Sequence, residues 1–347
     1  MSSNSQHIGL HRFAVLTSIA TFFLIIAGGL VTSTDSGLAV PDWPLSYGQF
    51  MPPMVGGIFY EHGHRMVATF VGMLTTILAI LLWWKEERKW VRMLGLVALL
   101  AVITQGVLGG ITVLYLLPVW VSTTHATLAQ SFFSLTIVLA IITSASWKSH
   151  SPIEYGRMLK TRTLALSTSG AVLLQLVLGA LMRHTGSGLA IPDFPLSYSQ
   201  WLPPTSVSEI ASINEYRLMY YDLPPIELNQ IWIHFAHRVG ALLVTLLVVA
   251  NVLHVLRNYK ISQMREPAIV QGSLLLVQVL LGALTVWTGK GVQVSTAHVA
   301  VGALLLGTSV ALTVYAYGWF KVPVEVKVRE ESFAAPALRT GREATTA

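Results

Sequence analysis

The sequence predicts an all-α polytopic membrane protein: eight transmembrane helices in two tandem, parallel-repeat four-helix bundles, with both termini cytoplasmic. Three observations carry this. The 347 residues are 53% hydrophobic and only 11% charged, more apolar surface than a water-soluble domain of this size can hide. Eight windows reach the roughly 20 apolar residues needed to cross a bilayer. The basic residues fall on alternate connections: 17 of the 22 Lys and Arg lie on one side of the predicted membrane. The positive-inside rule makes that side the cytoplasm.

Taken in order, the first span runs from Phe13 to Thr34, with Arg12 before it. The second, Tyr60 to Trp83, and the third, Val91 to Leu114, are joined by Lys85, Arg88, Lys89 and Arg92. The fourth, Thr123 to Ser146, is followed by Lys148, Arg157, Lys160 and Arg162. The fifth, Leu164 to Arg183, leads into a long outer loop carrying Asp193, Glu209, Glu215, Asp222 and Glu227. The sixth, Ile231 to Leu253, and the seventh, Ala268 to Trp287, are joined by Arg257, Lys260 and Arg265. The eighth, Val294 to Tyr317, precedes a basic tail whose last part, from Glu330, is polar and reads as disordered. Only Arg65, Arg183, Arg217, Arg238 and Lys290 fall outside. The net charge of +6 therefore describes topology, and nucleic acid is not an expected partner. The opening Met-Ser-Ser-Asn-Ser-Gln lacks a basic leader and an Arg-rich amphipathic pattern, so the expected address is a bacterial cytoplasmic membrane.

The chain repeats itself. Residues 28–53 and 179–204 are identical at 16 of 26 positions at a shift of 151. Both contain Gly-Leu-Ala-(Val/Ile)-Pro-Asp-(Trp/Phe)-Pro-Leu-Ser-Tyr. After the long outer loop the shift becomes 173, which pairs His64-Arg65 with His237-Arg238, Gln105 with Gln278, Gly109 with Gly282 and His125 with His298. The expected units are residues 1–150 and 151–322, with 323–347 as a cytoplasmic tail. Each unit has an even number of spans, so the two share one orientation, unlike the inverted repeats of many transporters.

Most histidines cluster at the outer side: His62, His64, His125, His184, His234, His237 and His298. In an up-down bundle the second and fourth spans lie diagonally across the core. Each begins with one of the repeat-paired histidines. Two imidazoles then face each other at one depth, a geometry suited to axial ligation of a haem iron. A lone histidine at a helix start is ordinarily an interfacial or capping residue; four in two repeat-related pairs are not. Without cysteine there are no disulfides or thiolate metal sites, and two histidines alone do not fill a zinc or copper shell. Arg65 and Arg238 either hold haem propionates or snorkel to the interface. Glu61 precedes His64 by three residues and shares its helix face. Alone it reads as a first-turn glutamate favoured by the helix dipole. The second unit has His234 in its place, so the two sites are expected to differ, with chemistry in the first. His62 and His184 have no repeat counterparts and read as surface or loop residues.

These motifs, Glu61-x-x-His64-Arg65, Thr123-Thr124-His125-Ala126-Thr127, His237-Arg238, Ser295-Thr296-Ala297-His298 and the doubled Pro-Asp-(Trp/Phe)-Pro loops, give the chain its resemblance: it resembles the haem A synthase family over nearly its whole length. The resemblance implies an oxidoreductase that converts the C8 methyl of haem O to a formyl group through a hydroxymethyl intermediate, for cytochrome c oxidase biogenesis. It implies His64 and His125 as ligands of the substrate haem O iron, His237 and His298 as ligands of a haem b cofactor, and Glu61 as the catalytic carboxylate. Implied partners are haem O synthase and oxidase assembly factors, with the lipid bilayer around the chain; a homo-oligomer is compatible with the sequence, which is silent on oligomeric state. One departure is the missing pair of outer-loop cysteines that many relatives carry. The competing readings are a dihaem b-type membrane electron carrier without substrate chemistry, and a colourless transporter whose histidines relay protons.

Overall fold

The computed structural model describes residues 3–154 and 158–321. The tail expected to be disordered lies outside the described residues. Eight helices are long and apolar enough to cross a membrane: α1 Ser3–Ser33, α2 Gly56–Lys85, α3 Lys89–Leu114, α4 Val119–Thr143, α6 Met158–His184, α8 Leu228–Asn258, α9 Ser262–Trp287 and α10 Val292–Gly318. Two short helices join them, α5 Ala145–Ser149 and α7 Ile210–Tyr221.

The helices are longer than the apolar windows. A window ends where polar residues begin, but the helical backbone goes on satisfying its own hydrogen bonds through the interface. α2 thus begins at Gly56, which places Glu61-His62-Gly63-His64-Arg65 more than one turn inside the helix and not at its mouth. α8 begins at Leu228 behind a capping box, with Glu227 N–H donating to Gln230 Oε1 at 2.9 Å.

α1, α2, α3 and α4 pack as successive neighbours, and α4 returns to α1. α6, α8, α9 and α10 do the same. In each ring the helices carrying the paired histidines, α2 with α4 and α8 with α10, occupy opposite corners. The rings meet where α1 and α4 pack on α10 and α6. The seam is apolar: Ile25, Phe133 and Ala303 are buried together, with Phe22, Ile137 and Leu304 against them. Gly307 leaves room there for Ile137, whose Cδ1 would lie 2.6 Å from an added Cβ.

At the end predicted to be cytoplasmic a small clip closes the molecule. Strand β1 (Ile153–Glu154) pairs in parallel with β2 (Phe320–Lys321). His150 stacks on Trp319 with ring centroids 3.7 Å apart.

Candidate functional site

The two outer loops are near copies in three dimensions. Asp42 accepts the Tyr47 and Gly48 amides at 2.6 and 2.8 Å. Asp193 accepts those of Tyr198 and Ser199, both at 2.9 Å. The Gly48 N–H is the main cause holding the Asp42 carboxyl below its usual range. Tyr47 donates its hydroxyl to the Ala39 carbonyl, and Tyr198 to that of Ala190. Burial pushes the Tyr198 phenol up. Both loops carry a cis X-Pro bond, at Trp43-Pro44 and Phe194-Pro195.

Each loop is stapled to the helix below it. Arg65 Nη1 donates to the Asp42 and Leu45 carbonyls at 2.8 Å, and its Nη2 donates to Glu61 Oε1 at 2.6 Å. Arg238 Nη1 donates to Leu196 O at 2.7 Å, and its Nη2 to Ile191 O and Asp193 O at 3.1 and 2.6 Å. These guanidinium donors hold loop carbonyls; of the two groups, only Arg238 keeps a buried nitrogen without a partner, its Nε.

Glu61 is buried, and its Oε2 accepts the Val40 amide at 2.8 Å. His234, also buried, accepts the Ile191 amide through Nδ1 at 3.3 Å. Val40 and Ile191 are themselves repeat partners. The two residues that differ in chemistry therefore do the same mechanical work, tying loop to helix. His62 is not a surface residue. It is 6% exposed, with Nδ1 2.8 Å from Ser46 Oγ, because the loop folds down over that face of α2. His184 ends α6 and is partly buried.

Beneath the loops lie the four repeat-paired histidines. His64 and His125 are near enough for their charges to interact, as are His237 and His298. Each imidazole lies against a glycine of a neighbouring helix. A Cβ on Gly28 would stand 3.2 Å from His64 Cε1; on Gly109, 3.4 Å from that of His125; on Gly179, 3.1 Å from that of His237; on Gly282, 3.3 Å from that of His298. A Cβ at Gly28, Gly179 or Gly282 would force the ring to give by a few tenths of an ångström, and one at Gly109 would sit at contact distance.

The surroundings are polar without being satisfied. Buried atoms with no hydrogen-bond partner recur at matched positions of the two halves: Gln105 and Gln278 Oε1, Ser122 and Ser295 Oγ, Thr123 and Thr296 Oγ1, His125 and His298 Nδ1. Each orphan costs about 1–3 kcal/mol if left unpaired, so a doubled set of them marks a place for a ligand with polar edges. Among the described residues no three His, Cys, Asp or Glu side chains converge to hold a metal ion. Each histidine pair thus suits a metal that brings its own equatorial ligands, as a porphyrin iron does. The donor set and the glycine cradles fit haem in both halves.

Sequence reasoning missed two features. Arg217 of α7 is 2% exposed and reaches Leu189 O at 2.8 Å and Pro224 O at 3.1 Å, fastening α7 over the second loop. Nothing local in the sequence signals this. Trp43 lies on Gly110, where an added Cβ would stand 2.6 Å from the indole. The repeat did hold that signal: the second half has Phe194 and Ala283 at the same two positions.

The comparisons with known proteins converge. A family model described as cytochrome oxidase assembly protein, COX15-CtaA, matches residues 11–57 and 54–310. A heme A synthase of Geobacillus kaustophilus is 27% identical over 339 residues, 94% of this chain and 98% of that protein. A heme A synthase of Halalkalibacterium halodurans is 29% identical over 315 residues, 87% of this chain and 95% of the relative. With eight membrane-length helices, a doubled histidine site and a match across most of its length, the chain belongs to the COX15-CtaA family of cytochrome oxidase assembly proteins.

Proposed function

We propose that this chain is a haem A synthase of a bacterial cytoplasmic membrane: it oxidises the C8 methyl of haem O to a formyl group through a hydroxymethyl stage. The observation that carries this is the doubled site, two glycine-cradled histidine pairs among matched orphan polar atoms, with a buried carboxylate beside the first alone. The relatives of Geobacillus and Halalkalibacterium carry the name heme A synthase.

In this reading His64 and His125 bracket the iron of the substrate, and His237 and His298 hold a haem b. When bound there, a haem b would supply one-electron transfer. The chain's own residues do the rest. Gly28, Gly109, Gly179 and Gly282 leave room for the four imidazoles. Arg65 and Arg238 keep the loops closed over the sites and limit water. Arg238 Nε, buried and unpaired, is the donor left for a propionate. Glu61, held by Arg65 and the Val40 amide, serves as the carboxylate that accepts protons from the substrate or steadies a developing cation. The farnesyl tail of haem O is apolar, so the bilayer is its route of entry.

The test is expression beside a haem O synthase in cells that make no haem A, followed by chromatography of the extracted haems. Haem A in the extract supports the reading, and haem O left unchanged overturns it. The likeness of the two loops keeps a second reading in view, a dihaem b-type electron carrier. It requires haem b in both halves whether or not haem O is supplied, and pigment extraction from the purified protein decides between them.

A further inference from the structure

An open groove of about 1010 Å³ lies between the ends of α6 and α8 opposite the histidine sites. It is lined by Leu159, Leu164, Ala250 and Leu253 on its apolar wall, and by Lys160, His254, Arg257 and Asn258 on its polar one. Lys160 and Arg257 are exposed, and among the described residues neither forms an ion pair with a carboxylate. The floor is fixed: His254 Nε2 lies 2.8 Å from Thr161 Oγ1, and Asn258 Nδ2 donates to the His254 carbonyl at 2.7 Å. On the orientation that the basic residues predict, this end faces the cytoplasm.

The repeat supplies an internal control. The equivalent positions in the first half are Ile8, Gly9, Phe13, Ile77, Ile80, Leu81, Trp84 and Lys85. Lys160, His254 and Arg257 there become Gly9, Leu81 and Trp84. The first half keeps a single cation, Lys85 at the position of Asn258, so the Lys160–Arg257 pair belongs to the second half alone.

We propose that this groove binds one anionic phospholipid. Lys160 and Arg257 take the phosphodiester, Arg257 as a two-pronged donor. Leu159, 70% exposed, and Leu253, 43% exposed, carry the acyl chains toward the hydrocarbon. Two unpaired cations at the inner membrane face complement the anionic headgroups there, and basic pockets between transmembrane helices on that side are suited to them. A free phosphate would leave the apolar wall uncovered.

Native mass spectrometry of the full-length protein in detergent tests this without reference to haem. Phosphatidylglycerol or phosphatidylcholine is added, and the retained lipid is read as detergent is stripped. One phosphatidylglycerol should persist in preference to phosphatidylcholine. Lys160→Gln with Arg257→Gln should weaken its retention at least tenfold, while Lys85→Gln with Lys89→Gln, on the same membrane face, should not. Equal retention of the two lipids, or no change in the Lys160/Arg257 variant, overturns the proposal. So does displacement by millimolar inorganic phosphate, which would mark a soluble-anion site. If the double variant does not fold, Leu253→Trp is read in the same assay: filling the acyl wall should also lower retention, and unchanged retention counts against the proposal.

Discussion

At the first outer loop Glu61 accepts the Val40 amide and pairs with Arg65; at the second His234 accepts the Ile191 amide, and Arg238 turns instead to the Ile191 carbonyl. Both halves keep the loop anchored to its helix. What differs is the charge used to do it: a carboxylate with a guanidinium in one half and, in the other, a histidine that forms no ion pair among the described residues. The absence of glutamate from the second half therefore does not mean that Glu61 lacks a structural duty. It means that the duty can be met without a carboxylate, so the carboxylate itself is what the first half adds.

The largest effect should come from the histidines proposed as iron ligands. His237→Ala or His298→Ala is expected to abolish the stable haem b signal in reduced-minus-oxidised spectra, whereas His64→Ala leaves that signal and impairs retention of haem O. Haem b persisting in both second-half variants would require the roles of the halves to be exchanged. Next comes the swap at the loop anchor. Glu61→His gives the first half the residue of the second and keeps an acceptor for the Val40 amide. It is expected to retain haem b but to lower haem A formation by about 10²–10⁴-fold, the usual span for a lost acid-base group. Activity within a few-fold of wild type would reduce Glu61 to a loop anchor.

A smaller effect sits beside the site. Gly110 gives way to the Trp43 indole, while the second half has Ala283 and the smaller Phe194 at the two matching sequence positions. Gly110→Ala should destabilise the protein by about 1–3 kcal/mol through overpacking. Trp43→Phe in the same chain should recover most of that loss, since it recreates the second half's pairing. Additive losses in the double-mutant cycle would show that the two positions do not share space.

How much of this was legible in the sequence follows from what each feature depends on. The spans were readable because hydrocarbon thickness fixes their length, and the histidine pairs because a repeat converts one ambiguous residue into a matched set. The burial of His62 was not. Its helix position looked exposed, and only the loop folding back to bring Ser46 within 2.8 Å covers it. The arginines were half legible: a cation beside each histidine was plain, but the carbonyls of Asp42 and Leu45 that hold Arg65 belong to backbone more than 19 residues away. α7 and its buried Arg217 lie in the part of the outer loop that has no repeat partner, where the internal comparison is silent.

The opposite ends of the two halves differ in the same sense, and acid should expose it. Glu86, 2% exposed, is clamped by Arg88 at 2.8 Å and Lys148 at 3.1 Å. Its repeat counterpart is Tyr259, buried and 2.6 Å from Thr161 Oγ1. Burial by itself raises the Glu86 carboxyl, but the two cations outweigh it and hold it down at about 2, against an ordinary 4.5. A carboxyl lowered on folding stabilises above its unfolded value, and that stability is lost as pH falls toward the folded one. The window is therefore about pH 4.5 down to 2, and the loss by pH 3 is on the order of 2 kcal/mol. Thermal unfolding of the wild type in detergent should weaken across that window. Glu86→Gln should be less stable at pH 6 and should show a smaller further loss on acidification. Equal acid sensitivity in the two proteins would place the titrating group elsewhere. A Tyr259→Phe variant, which removes a hydroxyl and no charge, should keep the wild-type pH dependence whatever its stability.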